Sequence, residues 1–105
     1  FLMNGVSILE SENQFSLTSY PLLECRVNES VFIAFNEFDI KAGDGKMLHV
    51  DIRLLPDHNI VIVGDGIVIS TSAGSTGYNA SLGGPILPHN IPAYIVTPKA
   101  AWKPR

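Results

Sequence analysis

Three short segments of this sequence hold side chains that could do chemistry. Asn36-Glu37 sets two polar residues inside an apolar run, between Phe35 and Phe38. Burying an amide and a carboxylate together is costly unless both find partners. By itself the pair therefore reads first as a bulge with both side chains in water, and second as ligand contacts. Gly64-Asp65-Gly66 lies between two hydrophobic runs. It reads first as a tight turn. The functional alternative is that its glycines let backbone approach a ligand while the carboxylate accepts from hydroxyl or amide donors. The third segment runs Ser70-Thr71-Ser72-Ala73-Gly74-Ser75-Thr76-Gly77-Tyr78-Asn79-Ala80-Ser81. Hydroxyls, small residues and one aromatic lead from a strand into a short helix. Such an entry offers backbone N–H donors to a phosphate or another anion, or is simply a Ser/Thr helix cap.

Rival chemistries fit these residues poorly. The third segment lacks the lysine of a Walker phosphate loop. Ala73-Gly74-Ser75-Thr76-Gly77 has the outline of a nucleophile elbow, with Ala in the first Gly place. A hydrolase of that class needs an acid and then a histidine after the serine. No acid follows Ser75, and His89 sits in a Pro-rich loop. His49, His58 and His89 are scattered and have no partners at metal-ligand spacing. His49 reads as a solvated residue on the polar side of a strand.

The elements that must position these segments are mostly strands. Leu48, Val50, Ile52 and Leu54 alternate with His49, Asp51 and Arg53, which predicts a strand with one buried and one wet face. Leu22 to Val27 predicts a strand, and Val31 to Phe35 predicts another that continues through Phe38 to Ile40. Ala42-Gly43-Asp44-Gly45-Lys46 is a hairpin signal. Pro56-Asp57-His58-Asn59 reads as a turn. Ile60 to Val63 and Ile67 to Ile69 are β-branched runs. Ala73 to Leu82 is the one segment suited to a short helix, ended by Gly83-Gly84-Pro85. Ala93 to Thr97 reads as a last strand, stopped by Pro98. At the start, Phe1-Leu2-Met3 reads as a strand end, Asn4-Gly5 as a turn, and Ser7 to Gln14 as a weakly helical or irregular connector. The fold class is mainly β: an antiparallel, sandwich-like domain with one short helix after the Gly-Ser-Thr-Gly-Tyr loop.

Composition narrows the class further. The 105 residues are 46% apolar and 16% charged, with a net charge of −3. Ordinary domains carry about 25% charged residues, so the core complement is normal and the surface is short of charge. A disordered chain is excluded. So is a basic nucleic-acid module, because seven Lys and Arg face ten Asp and Glu. No apolar run reaches the roughly 18 residues of a spanning helix. The length allows one domain, burying about 65% of its unfolded surface. All ten acids precede Gly66, and residues 66–105 hold none, although Lys99, Lys103 and Arg105 are there. Such a stretch is buried, packed on a partner, or facing an anion. Cys25 is the single cysteine, which excludes an internal disulfide and a cysteine zinc site. Its alternating surroundings predict a buried thiol acting as a small hydrophobe. A reducing, cytoplasmic setting is expected, with no membrane association. Because the first residue is Phe, we expect a piece of a longer chain.

Taken together, Asn36-Glu37, Gly64-Asp65-Gly66, Ser70-Thr71-Ser72-Ala73-Gly74-Ser75-Thr76-Gly77-Tyr78 and Gly83-Gly84-Pro85 resemble, in order, the C-terminal domain of bacterial NAD kinases. The family pattern is Asn-Glu, Asp-Gly, Ser-Thr-Pro-x-Gly-Ser/Thr-Thr-Ala-Tyr and a closing Gly-Gly-Pro. Tyr20-Pro21-Leu22-Leu23 also fits, and Phe1-Leu2-Met3-Asn4 resembles the end of the family's N-terminal nucleotide domain. The resemblance implies a two-domain α/β plus β enzyme. Residues 1–18 would be the connector from the first domain. Residues 19–105 would be the NAD-binding β domain, incomplete at its C-terminal end. It implies transfer of the γ-phosphate of ATP, or of polyphosphate, to the 2′-hydroxyl of the adenosine ribose of NAD, giving NADP. The family's catalytic Gly-Gly-Asp-Gly-Thr loop lies upstream of Phe1, so no catalytic residue is expected here. A divalent ion, Mg, would come with ATP and be bound mainly by that upstream part. A homodimer or homotetramer is the assembly implied.

Carried over by position, Asn36 and Glu37 would hold the adenosine part of NAD. Asp65 would bind the nicotinamide side. Thr76, Gly77, Tyr78, Asn79 and Ser81 would line the dinucleotide, and Ala100 would be a small residue against it. The residue types suit this, because Asn and Glu match adenine edges and ribose diols, and Tyr78 offers an apolar face with a polar tip. Three positions depart from the pattern. Gly77 stands where Ala is usual, Ser72 where Pro is usual, and Val63 where some members have Arg. The alternatives are a lipid kinase of the same superfamily and a non-catalytic β domain that binds a partner chain.

Overall fold

The computed structural model describes residues 16–54 and 56–102. The elements expected over residues 1–14 lie outside them. Among the described residues the strands are β1 (Leu23–Val27), β2 (Ser30–Ala34), β3 (Glu37–Lys41), β4 (Leu48–Leu54), β5 (His58–Gly64) and β6 (Gly66–Thr71). A 3-10 helix (Ala73–Thr76), a one-turn helix α1 (Tyr78–Ser81) and a last strand β7 (Tyr94–Lys99) follow. All pairings are antiparallel, which agrees with the mainly β class that the alternating pattern predicts.

Two hairpins form where the sequence turns tightly between β-prone runs. β1 pairs with β2, with Val27 opposite Ser30. Asn28 makes the reversal at φ 55°, a left-handed conformation that Asn tolerates better than most side chains. β4 pairs with β5 from Leu48 opposite Gly64 to Leu54 opposite His58. The predicted alternation holds: Leu48, Val50, Ile52 and Leu54 are half-buried, and His49, Asp51 and Arg53 are exposed. His58 and Asn59, read as turn residues, are instead the start of β5, because cross-strand pairing to Leu54 and Arg53 recruits them.

The third sheet positions the site, and it corrects several expectations. Its order is β3-β6-β7. The run from Val31 to Ile40 is not one strand. It breaks at Phe35-Asn36, so that β2 joins β1 while β3 joins β6. Ala42 to Lys46 is not a hairpin turn either, because the strands on its two sides pair with other partners. It is a connecting loop closed by Gly45 N–H on Ala42 O at 3.3 Å and by Lys46 N–H on the Asp44 carboxylate at 3.0 Å. Pro98 does not stop the last strand but lies within β7, opposite Ile67. A proline can sit there because β7 is an edge strand, where a missing N–H costs least.

Among the described residues the core lies in the C-terminal half and is mostly polar. Ile67 and Val68 are its buried apolar residues, beside buried Ser70, Thr71, Ser72, Ser75, Asn79 and Thr97. The acid-free stretch is thus buried only in part, since Ile86, Ile91, Tyr94 and Trp102 are exposed. Cys25, expected to be buried, is half-buried, in a strand whose sheet has only two strands.

Candidate functional site

The site is built around the two ends of β6. At its C-terminal end the hydroxyls of the Ser/Thr segment turn inward. Thr71 Oγ1 donates to Phe35 O at 2.6 Å and accepts from Gly74 N–H at 3.0 Å. Thr71 N–H donates to Asn36 O at 2.9 Å. One threonine therefore accepts from a first-turn N–H of the 3-10 helix and also fixes the β2–β3 break. A Cβ at Gly74 would collide with the Asn36 backbone, so only glycine allows this approach. Glu37 opens β3 opposite Ser70 and is half-buried, while Asn36 is exposed. The pair marks the point where the chain changes sheets, which replaces the expected bulge with both side chains in water.

Ser72 and Ser75 hold the loop that returns after α1. Ser72 Oγ donates to His89 O at 3.1 Å, and Ser75 Oγ donates to Ser72 O at 2.7 Å and accepts from Leu87 N–H at 3.0 Å. The N–H groups of Gly74, Ser75 and Gly77 are also bonded within the protein. The anion cradle expected at the helix entry is therefore largely closed at those donors. The single helix expected over Ala73 to Leu82 is two short pieces joined at Gly77.

Thr76, Gly77, Tyr78 and Ser81 are exposed along this segment. Asn79, expected to line the dinucleotide, is 0% exposed. Its amide donates to Ser75 O at 3.0 Å and Pro85 O at 2.7 Å, and accepts from Thr97 Oγ1 at 2.6 Å. That geometry ties α1 to β7 and makes Asn79 a support for its neighbours, not a group open to a ligand. Its position one residue after Tyr78 hid this in the sequence, because helix direction decides which of two adjacent side chains points inward.

At the N-terminal end of β6, Gly64-Asp65-Gly66 is a change of sheet and not a hairpin turn. β5 ends at Gly64 and β6 starts at Gly66, and the two strands do not pair. Both glycines face protein backbone, that of residues 99–101 and of Ile40 respectively. So their smallness serves packing of the chain on itself. Asp65 is exposed, and its N–H donates to Lys99 O at 2.9 Å. Trp102 N–H donates to Val63 O at 2.7 Å, so residues 99–102 run beside Asp65. Ala100, in this stretch, is exposed with φ 51°. A left-handed alanine is mildly strained, a feature often found at functional sites.

The structure thus gathers the candidates into two groups. Asn36 and Glu37 lie at one end of β6 and Asp65 with Ala100 at the other, roughly 17 Å apart along the strand at about 3.3 Å per residue. The segment of Thr76, Gly77, Tyr78 and Ser81 folds back beside β6 between them. Two features were missed by sequence reasoning. Tyr20, Phe35, Ala73, Thr76 and His89 line a cavity of about 410 Å³, with the Tyr20 ring 5.5 Å from Phe35 and 5.4 Å from His89. Residues this far apart in sequence give no signal of their grouping. The second is Lys99, whose Nζ lies 2.9 Å from the Asp39 carboxylate and 5.2 Å from the Tyr78 ring centroid. The hydrogen bond to Asp39 first, and the Tyr78 side chain second, hold its pKa above the usual lysine value. Among the described residues, no three side chains come together as a metal site, and no helix is long and apolar enough to cross a membrane.

Comparison with known proteins bears directly on these groups. Residues 35–104 match the ATP-NAD kinase C-terminal domain, a span that holds every candidate residue from Asn36 to Ala100. Similar proteins include NAD kinase 1 of Oceanobacillus iheyensis, 37% identical over 97 residues, covering 87% of this chain and 36% of that protein. The NAD kinase of Staphylococcus aureus strain JH9 is 38% identical over 97 residues, 86% of this chain and 36% of its own. That of Finegoldia magna is 42% identical over 67 residues, 64% of this chain and 24% of its own. The chain therefore spans about a third or less of the length of these curated relatives. Neither the lipid-kinase nor the interaction-domain alternative is favoured by these matches. With its Asn-Glu, Asp-Gly and Gly-Ser-Thr-x-Tyr segments assembled around one strand and matched as a block, this chain belongs to the ATP-NAD kinase C-terminal domain family.

Proposed function

We propose that this chain supplies the dinucleotide-recognition part of an NAD kinase. The observation that carries this reading is the pair of polar groups at the two ends of β6, joined by the exposed face of residues 76–81. A ligand with two heads and a middle matches that layout. The aromatic cavity beside Phe35 and Thr76 suits a purine, because aromatic faces stack on any base. Asn36 matches an adenine edge, and the Glu37 carboxylate accepts from ribose hydroxyls. The Asp65 carboxylate accepts from an amide such as that of nicotinamide. Tyr78 and Ser81 form the wall between, and Ala100 stands beside Asp65.

In the reaction, the 2′-oxygen of the adenosine ribose bonds to the γ-phosphorus of ATP as the bond to the bridging oxygen breaks. ADP leaves with that electron pair. With polyphosphate, the shortened polyphosphate leaves instead. The hydroxyl proton passes to a base that this chain does not supply. Phosphoryl transfer depends mostly on positioning and charge stabilisation. The contribution of this chain is to hold the ribose in place. The residues described here do not fit a magnesium ion by themselves, so a metal arriving with ATP is assigned to the rest of the enzyme. The family resemblance also supports a cytoplasmic homodimer or homotetramer, which sedimentation of the full-length protein tests.

In the full-length protein, Asp65→Ala should raise the KM for NAD about tenfold, the scale of a lost charged hydrogen bond. Tyr78→Ala should raise it by a similar factor through loss of the ring face, and both should leave the KM for ATP nearly unchanged. An unchanged NAD KM in both would overturn the assignment of the site. Residues 1–105 alone should form no NADP in a coupled assay.

A further inference from the structure

We propose that Lys99 is a positioning residue for this site, with Asp39 anchoring its ammonium so that it holds the Tyr78 ring in the orientation the ligand wall requires. The proposal rests on the reading of the site as NAD-binding. Lys99 lies in a stretch without acids, yet its side chain is only 15% exposed. Its stem is covered while its ammonium reaches the surface, where it finds a carboxylate partner. Asp39 provides it from the opposite side of the sheet. Asp39 pairs with Val68, and Val68 with Thr97, two residues before Lys99. The ion pair therefore spans all three strands.

Tyr78 needs such support. Helix α1 has four residues, too few to be stable without outside contacts. Asn79 fixes one side of it through Thr97. The Tyr78 ring, 37% exposed, meets the ammonium of Lys99, two residues further along β7, 5.2 Å from its centroid. That distance is within reach of a cation–π contact. The Lys99 backbone adds a second tie, because its carbonyl accepts from Asp65 N–H at 2.9 Å and Ala100 follows directly. One residue thus touches Tyr78 through its side chain and Asp65 through its main chain. As a surface ion pair Lys99–Asp39 adds little stability by itself; its role lies in where it places the ammonium.

The test is steady-state kinetics on the full-length protein, with Tyr78→Ala as reference. Lys99→Met and Asp39→Asn should raise the KM for NAD about threefold to tenfold, the range of a cation–π contact. Their KM for ATP and kcat should stay close to wild type. Lys99→Arg should keep the NAD KM within about twofold of wild type, because a guanidinium also stacks on an aromatic face. Lys99→Met added to Tyr78→Ala should have no further effect, since both remove the same interaction. A wild-type NAD KM in Lys99→Met, with Tyr78→Ala raised, would overturn this proposal and leave the site reading intact. A full Lys99→Met effect in the Tyr78→Ala background would overturn it as well. If neither residue moves the NAD KM, the site reading falls too. Should Lys99→Met not fold, Asp39→Asn and Lys99→Arg decide the matter by the same measurements.

Discussion

The segment over residues 64–81 and the β1–β2 hairpin treat polarity in opposite ways. In the first, Ser70, Thr71, Ser72, Ser75 and Asn79 are buried, and their side chains are bonded to carbonyls or amides of the protein. In the hairpin, Val31, Phe32 and Ile33 are each at least half exposed. Backbone strand pairing holds the hairpin together, while in the other segment buried side-chain hydrogen bonds are added to the strand pairing of β6. A hydrophobic contact tolerates small shifts, whereas a buried hydrogen bond fixes distance and angle. The polar segment is the one that carries Thr76, Gly77, Tyr78 and Ser81, and its exact geometry is what a recognition surface needs.

The contrast can be broken or sharpened by substitution, with thermal and denaturant unfolding of the full-length protein as the readout. The largest effect is expected for Asn79→Leu. It leaves Ser75 O, Pro85 O and Thr97 Oγ1 without their partner, a loss of about 3–5 kcal/mol for several buried polar groups together. Gly74→Ala should follow at about 2–3 kcal/mol, because its methyl group overpacks the Asn36 backbone. It should also weaken NAD binding by moving Asn36. Thr71→Val keeps the shape but loses the bonds to Phe35 O and Gly74 N–H, a cost of about 1–2 kcal/mol. On the exposed hairpin, Val31→Thr should change stability by no more than about 0.5 kcal/mol. A cost there equal to that of Asn79→Leu would mean that the hairpin is as tightly organised as the polar segment.

The Lys99 pair gives a pH-dependent version of the same comparison. Its folded pKa is raised by Asp39 and Tyr78. Its stabilising contribution is therefore complete below the unfolded value of 10.5. It is lost as pH rises through the folded value above that. The Tm difference between wild type and Lys99→Met should be constant through neutral pH and shrink above pH 10.5. A difference that instead closes below that pH would place Lys99 in another environment.

Much of this was legible along the chain. Alternation over residues 48–54 reports a two-faced strand because side-chain direction repeats every two residues, and β4 shows it. The helix breaker Gly83, at φ 85°, ends the helical stretch by a local rule. Pairing partners were not legible. Asn36-Glu37 and Gly64-Asp65-Gly66 looked like a bulge and a turn, yet both are places where the chain leaves one sheet for another. That choice depends on strands distant in sequence competing for the same edge. Asn79 and Tyr78, adjacent and both polar-tipped, were assigned one role, and the packing of α1 on β7 gave them two.

The sequence by itself determined the β class, the absence of a disulfide within the chain, and the order of segments that marks the family, since each follows from residue type or short-range spacing. Only the tertiary structure decided which of those residues face outward, which are spent on holding the loop, and that Lys99 reaches Asp39 and Tyr78. The reason is physical. A side chain's type limits what bonds it can make, but the strand register decides which partner lies within the 3 Å where a bond forms.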